Sequence, residues 1–572
     1  MAFQVSPGVQ VKEIDATSVV PAVSTSIGGF AGSFNWGPVA EVISVSSEQG
    51  LADTFGAPDN NTFKYFLTAA SFLKYGNALK VVRVTSEHLN ATADGNGLLI
   101  KNDTHYVDQN YNTGGGTVGH WAAKHPGTKG NSLKVAIVTE GVSSWDTITY
   151  YGTSKYSDLF DTFPGTSTYA SDLGKGSIGD ELHVVVIDED GVFSGTAGTV
   201  LETFAFASQA ADAKKPDGTS NYYVNVVNSG SDYVRWMDHP STLTDAGDDL
   251  RLATTTAIAG STTAISDSLA GGTDDNTPIT AEISAGFDLL SDAETVDVGL
   301  LFAYPDADTA DTIAEYLIEI VIARKDCMAF VSPPIEDSQG SAAPVTDVMA
   351  FANGLTSSSY AVCDSGAVYV YDKYNDTYRW IGAAGHIAGL CANTDRVADA
   401  WYSPAGVSRG QLLGVTKLAW NPVKADRDTL YKGRVNPLVS LPGQGTLLFG
   451  DKTLLARPSA FDRINVRRLF ITLEKAVSVA AKAQLFEFND EFTRAQFKNL
   501  VEPFLRDVKG RRGLTDFSVI CDETNNTSQV IDTNSFVADI YIKPARSINY
   551  ITLNFVATRT GVSFTEIAGS TG

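Results

Sequence analysis

Strand and helix signals alternate in two separate stretches of this 572-residue chain, and the residues between them have a different character. In the first stretch, residues 27–34 and 39–45 predict strands. Phe63, Phe66, Leu67, Ala70 and Leu73 then fall at helical spacing, Gly76 and Asn77 supply a helix stop, and residues 79–84 predict another strand. In the second stretch, residues 296–303, 311–324 and 327–332 read as strand, helix and strand, stopped by Pro333 and Pro334. That spacing suits βαβ units. Between about residues 95 and 285, Gly, Thr, Asp and Ser separate short alternating segments such as 133–138, 182–187 and 222–227. These are strand signals spaced by turns. The two alternating stretches therefore predict one α/β domain with a β-rich region inserted at its surface, a place where insertions are tolerated.

The remaining segments complete a multidomain α+β reading. Residues 368–371 and 378–381 predict a hairpin. In the last third, 461–475 and 492–508 predict helices, and 518–521, 535–543 and 548–557 predict strands. Ser6, Pro7 and Gly8 mark a turn beside Val9, Val11 and Ile14, a short extended segment with too few apolar residues for a core of its own. The expected organisation is an arm at 1–20, a middle α/β domain at 21–95 plus 286–400, an inserted β-rich region at 96–285 and an α/β module at 401–558.

Charge is distributed unevenly over this plan. Residues 401–572 carry 22 Lys and Arg against 16 Asp and Glu, although the whole chain has a formal charge of −24. A basic region on an acidic protein predicts an acidic partner. The segment 492–512 sharpens that expectation. Phe497, Leu500, Val501, Phe504 and Leu505 form an apolar helical face, which leaves Arg494, Lys498, Arg506, Lys509, Arg511 and Arg512 for the other face and the C-terminal end. Lys and Arg near a helix C-terminus also offset its dipole, so part of the pattern needs no partner. Nucleic acid is a poor candidate for a chain this acidic with no basic–aromatic stripe.

Motifs for chemistry fail on context. Gly406-Val-Ser-Arg-Gly410 has the form of a nucleophile elbow, but all seven histidines precede Ser408, the reverse of the hydrolase order, so an esterase reading is weak. Gly114-Gly-Gly-Thr-Val-Gly119 follows no hydrophobic strand, and there is no P-loop. Asp188-Glu-Asp-Gly191 predicts a hairpin turn, because later calcium ligands are missing. His120 and His125 read as surface residues. Tyr222, Tyr223, Tyr233 and Trp236 would serve a carbohydrate-binding β protein, but core residues are the simpler reading. Cys327, Cys363, Cys391 and Cys521 are too far apart for a zinc site and read as buried thiols. No enzyme, cofactor or metal is expected. The N-terminus has no signal-peptide pattern, and no apolar run reaches a membrane span, so a soluble protein made in the cytoplasm is expected.

Several longer segments carry a resemblance. They are Ser6-Pro-Gly-Val9 with Lys12-Glu13, Trp36-Gly-Pro38, Phe55-Gly56, Tyr75-Gly-Asn77 with Val81-Val-Arg83, and YDKYND at 371–376. WYSPAG at 401–406, FDRINVRRLF at 461–470 and the stretch 544–558 complete the set. Together they resemble the tail sheath family of contractile-tailed bacteriophages, in its T4-like branch, with the weakest likeness between 95 and 285. The resemblance implies a virion subunit that polymerises with itself as stacked six-membered rings, wound helically around a tail tube. Such a sheath contracts without nucleotide hydrolysis to drive the tube through the host envelope, and it meets baseplate and tail-terminator proteins at its ends. It implies an inner C-terminal module, an outer inserted region and arms, the second at 559–572, that add strands to neighbouring subunits. Val9, Val11, Ile14, Val562 and Phe564 are the arm candidates, and the six cations of 494–512 the tube-facing ones. The sheath of a tailocin or type VI secretion system is the related alternative.

Overall fold

The computed structural model describes residues 24–549, apart from 86, 115–117, 143–144, 242, 244–249, 256–257, 259–260, 262 and 276. The first stretch forms β1 (Gly28–Gly32), β2 (Val42–Val45), α1 (Phe63–Leu73) and β3 (Leu79–Arg83). The insertion contributes β4 (Leu133–Thr139), β5 (Glu181–Asp188), β6 (Thr199–Ser208), α2 (Tyr223–Gly230) and β7 (Ile265–Ser268). The second stretch supplies β8 (Leu300–Phe302), α3 (Ala310–Arg324), β9 (Met328–Val331), β10 (Ala361–Asp364), the hairpin β11 (Ala367–Asp372) and β12 (Thr377–Gly382), and α4 (Ala384–Val397). After it come β13 (Val415–Leu418), α5 (Lys424–Lys432), β14 (Val435–Asn436), β15 (Leu438–Leu441) and β16 (Gly445–Leu448). The last elements are α6 (Ile464–Lys482), α7 (Glu491–Gly510), β17 (Leu514–Ile520) and β18 (Asp539–Pro544).

Seven strands join in the order β14–β10–β9–β8–β1–β3–β2, all parallel except β2 against β3. Period-two alternation sorts their side chains between two cores. Phe30, Val81, Leu300, Phe302, Met328 and Phe330 join the core that contains α1 and α4. Ala31, Val82, Leu301, Ala329 and Val331 join the core that contains α3. Helix α1 lies so close that a Cβ on Gly28 would meet Phe72 at 2.8 Å, and one on Gly32 would meet Tyr65 at 2.7 Å. The two alternating stretches thus share one sheet, because β1 pairs with β3 on one side and β8 on the other.

The insertion leaves after β3. Its strands form an antiparallel sheet, β7–β4–β5–β6, around a core that includes Trp121, Val184, Tyr223 and Trp236. Residues 222–227 are a correction: they lie largely in helix α2 and not in a strand. Val-rich composition favours a strand locally, but burial of Tyr223, Val224 and Val227 on one helical stripe overrides that weak preference. Buried Arg83 ties the insertion to the sheet. Its guanidinium donates to the carbonyls of Phe34 (2.9 Å), Gly37 (2.7 Å) and Pro126 (2.7 Å).

The chain divides into two compact units, 21–400 with 404–479, and 1–20 with 401–403 and 480–572. This cut differs from the boundary expected at 401. Strand β14 hydrogen-bonds to β10 at Cys363↔Val435 and Asp364↔Asn436, which draws 404–479 into the larger unit. A two-residue strand leaves almost no periodic signal in a sequence.

Candidate assembly surface

Helix α7 begins where the Asp490 side chain accepts from the Thr493 amide at 2.8 Å, the usual N-cap arrangement. Phe497, Val501, Leu505 and Val508 are buried at spacings of three and four, and Phe497 meets Phe536 edge to face with centroids 5.3 Å apart. Arg494 continues the same stripe three residues before Phe497. It is buried, and it donates to the Asn489 side-chain oxygen at 3.0 Å. Its assignment to the outward face is corrected on that geometry.

The other five cations divide by their partners. Lys498 lies 3.8 Å from Glu502, Lys509 is 3.1 Å from Asp516, and Arg511 is 2.9 Å from Asp507. Arg511 also stacks over Trp401 at 4.9 Å, while its carbonyl accepts from the Trp401 indole at 3.2 Å. Arg506 and Arg512 are exposed and have no ion-pair partner among the described residues. Arg506 lies in the last two turns of α7 and Arg512 just past its end, where the helix dipole already favours positive charge.

Strands β17 and β18 run antiparallel, from Leu514↔Pro544 to Ile520↔Asp539, with a register shift between Leu514 and Asp516. Among the described residues this is a two-stranded ribbon with both outer edges unpaired. Such a ribbon is marginal without further strands, and open edges are templates for added ones. The arm candidates Val9, Val11, Ile14, Val562 and Phe564, and most of the strand expected at 548–557, lie outside the described residues.

The other sequence candidates resolve as structure. Ser408 is exposed on a turn closed by the Gly410 amide and the Gly406 carbonyl at 2.7 Å, not on a strand-to-helix elbow. His120 and His125 are half-buried rather than fully exposed. His120 sits 2.9 Å from Asp267, which raises its pKa, and His125 packs edge-on against Trp36 with centroids 5.2 Å apart. Tyr223 and Trp236 are core residues. Asp188 accepts from the amides of Val192, Phe193 and Ser194 at 2.7–2.9 Å, which fixes the turn expected there. All four cysteines are buried and unpaired. No described helix is long and apolar enough to cross a membrane.

Residues 25–84 match the N-terminal region of domain III of the tail sheath protein Gp18, 278–454 the phage tail sheath central domain and 456–558 the phage tail sheath C-terminal domain. The tail sheath protein of Vibrio phage KVP40 is 34% identical over 99% of both chains, and that of Enterobacteria phage T4 is 33% identical over 99% of both. This chain belongs to the phage tail sheath protein family. It is therefore a structural sheath subunit of a contractile tail or injection system. The sheath fold extends to much more distant chains. A sheath tail protein from Listeria innocua superposes with a TM-score of 0.54 at 12% identity, covering 92% of this chain and 93% of that one. The contracted helical sheath of the anti-feeding prophage gives 0.52 at 12% identity, covering 97% and 100%. The first two matched domains bracket residues 85–277, the part of the sheath chain that folds as the insertion.

Proposed function

We propose that this chain is the sheath subunit of a T4-like contractile phage tail, assembling as stacked six-membered rings wound around an acidic tail tube. The observation that carries this reading is identity of about one third along nearly the entire length of two phage sheath proteins. Nothing in the mechanism requires a nucleotide. The extended array is a metastable packing of the same subunits, and a trigger at the baseplate releases it into a shorter, wider helix. Arms from neighbouring subunits add to the open edges of β17 and β18, so main-chain hydrogen bonds hold the lattice while subunits slide. Arg506 and Arg512 face the tube, since they are the two of the six candidate cations that are exposed without an internal counter-charge.

The test is R506E/R512E in the full chain, mixed with purified tubes and examined by electron microscopy. The double variant is expected to melt like the wild type and to polymerise alone, yet to coat tubes poorly. Tubes coated as densely as by wild type would rule out this face. Full-length identity to phage proteins favours a virion over a tailocin or type VI sheath.

A further inference from the structure

Between α6 and α7 the chain exposes Leu485 by 62%, Phe486 by 105%, Phe488 by 85% and, on the first turn of α7, Phe492 by 74%. Four large apolar side chains within eight residues stand in solvent, a pattern that marks interaction sites. This segment is held by hydrogen bonds. The amide of Gln484 donates to the Ala481 carbonyl at 2.9 Å, that of Glu487 to Gln484 at 3.3 Å and that of Asp490 to Phe488 at 3.0 Å. Asn489 donates to the Ser535 carbonyl at 2.7 Å and accepts from buried Arg494 at 3.0 Å. Phe486 has φ +70°, a left-handed conformation that a bulky L residue adopts only against steric resistance. The loop therefore presents its apolar side chains from a fixed base, and less ordering is left for a partner to impose.

Charge selects among partners. From Gln484 to Phe492 the loop carries Glu487, Asp490 and Glu491 and no cation. An acidic tube is excluded by the same sign, and a surface both apolar and cationic is required. This chain has one. Helix α5 carries Lys424, Arg427 and Lys432 against Asp426 and Asp428. Beside the hairpin β15–β16, Val423 is 62% and Phe449 48% exposed, and the Arg427 guanidinium lies 5.8 Å from the Phe449 ring. Lys424 is exposed next to Val423, and the nearby Asp426 carboxylate is engaged with the Val423 amide at 3.1 Å.

We propose that the 485–492 knuckle docks on a second copy of this chain, in the seat formed by Val423, Lys424, Arg427 and Phe449. Two different surfaces meet in this contact, so it is heterologous and propagates into a polymer. The proposal rests on the sheath reading and adds a side-chain contact to the strand additions of the arms. Aromatic anchors of this kind concentrate binding energy in few residues.

The experiment is tube-free polymerisation of the full chain, read as the critical concentration in sedimentation. F486S/F488S removes exposed side chains only, so the monomer is expected to melt unchanged while the critical concentration rises at least roughly tenfold. E487K/E491K and K424E/R427E are each expected to show a similar defect, and the four changes together in one chain to restore most of it. Wild-type polymerisation by F486S/F488S would overturn the proposal. So would a fourfold variant no better than its two parents, which would remove the seat, or a defect that appears only on tubes. A wild-type chain that forms no polymer would remove the sheath reading and this contact together, whereas R506E/R512E coating tubes as densely as wild type would remove the tube face alone and leave this contact standing.

Discussion

Asp364 closes β10 in a fully buried position. It accepts from the Ser332 hydroxyl at 2.5 Å and from the Gly366 amide at 2.8 Å, and the Ser332 oxygen in turn accepts from the Ala384 amide at 2.9 Å. One carboxyl thus joins the ends of two neighbouring strands to the start of α4. Burial pushes its pKa up to about 7, against the lowering effect of both hydrogen bonds. Because the folded state binds this proton more tightly than the unfolded chain, the contribution to stability is fullest below the unfolded value near 3.8. It is lost as pH rises through about 7. The loss is up to about 1.4 kcal/mol for each pH unit in that window. Urea midpoints measured from pH 5 to 8 should fall for the wild type and change much less for Asp364→Asn. Parallel pH profiles would refute this. Nothing around Asp364 in the sequence announces the role, since its partners lie 32 residues upstream in Ser332 and two residues on in Gly366.

Among the elements, α6 holds the root of the N-terminal segment. Buried Arg468 donates to Asp395 at 2.6 Å and to the Cys391 carbonyl at 3.1 Å, while Thr25 donates to the same Asp395 oxygen at 2.7 Å. Seven residues on, Lys475 donates to the Ser24 carbonyl at 3.1 Å and pairs with Asp297. Removing one partner of a buried pair leaves the other charge uncompensated, at a cost of about 3–5 kcal/mol. Arg468→Met should lower the unfolding free energy by that amount, and adding Asp395→Asn should recover part of it. A shift below about 1 kcal/mol for Arg468→Met would contradict this account. The sequence made elements with long apolar stripes readable: α1, α3 and α7 lie within a few residues of their expected positions. It did not distinguish the Arg468 of a buried clamp from the Arg506 of an exposed face, because charge pattern alone does not encode depth. Arg494 was misplaced for the same reason, although its spacing of three before Phe497 was a usable signal. Short elements such as β14 and the β-branched helix α2 were hidden because tertiary pairing, not local preference, creates them.

For the whole molecule, the basic last third takes on a different meaning. Within it, residues 404–479 hold 12 cations against five acids, whereas 480–549 hold nine against ten. Several of the former are internal: Arg463 pairs with Asp451 at 3.2 Å, Arg467 stacks on Phe461 at 4.0 Å, and Arg468 pairs with Asp395. The charge excess is thus partly scaffold, and the proposed tube contact narrows to Arg506 and Arg512. The same division bears on the arms. Residues 24 and 25 are already fixed by α6, and removal of residues 1–15 is expected to leave the fold intact. A chain lacking 1–15 is expected to melt within about 2 °C of wild type, since surface changes that break no buried feature stay within about 0.5 kcal/mol. Its polymers should nevertheless be short, because an added strand that links neighbours is gone. Length distributions from electron micrographs at matched concentration measure this directly. Polymers of wild-type length would remove the arm from the lattice, and a collapsed melting temperature would mean that residues 1–15 serve their own subunit's fold.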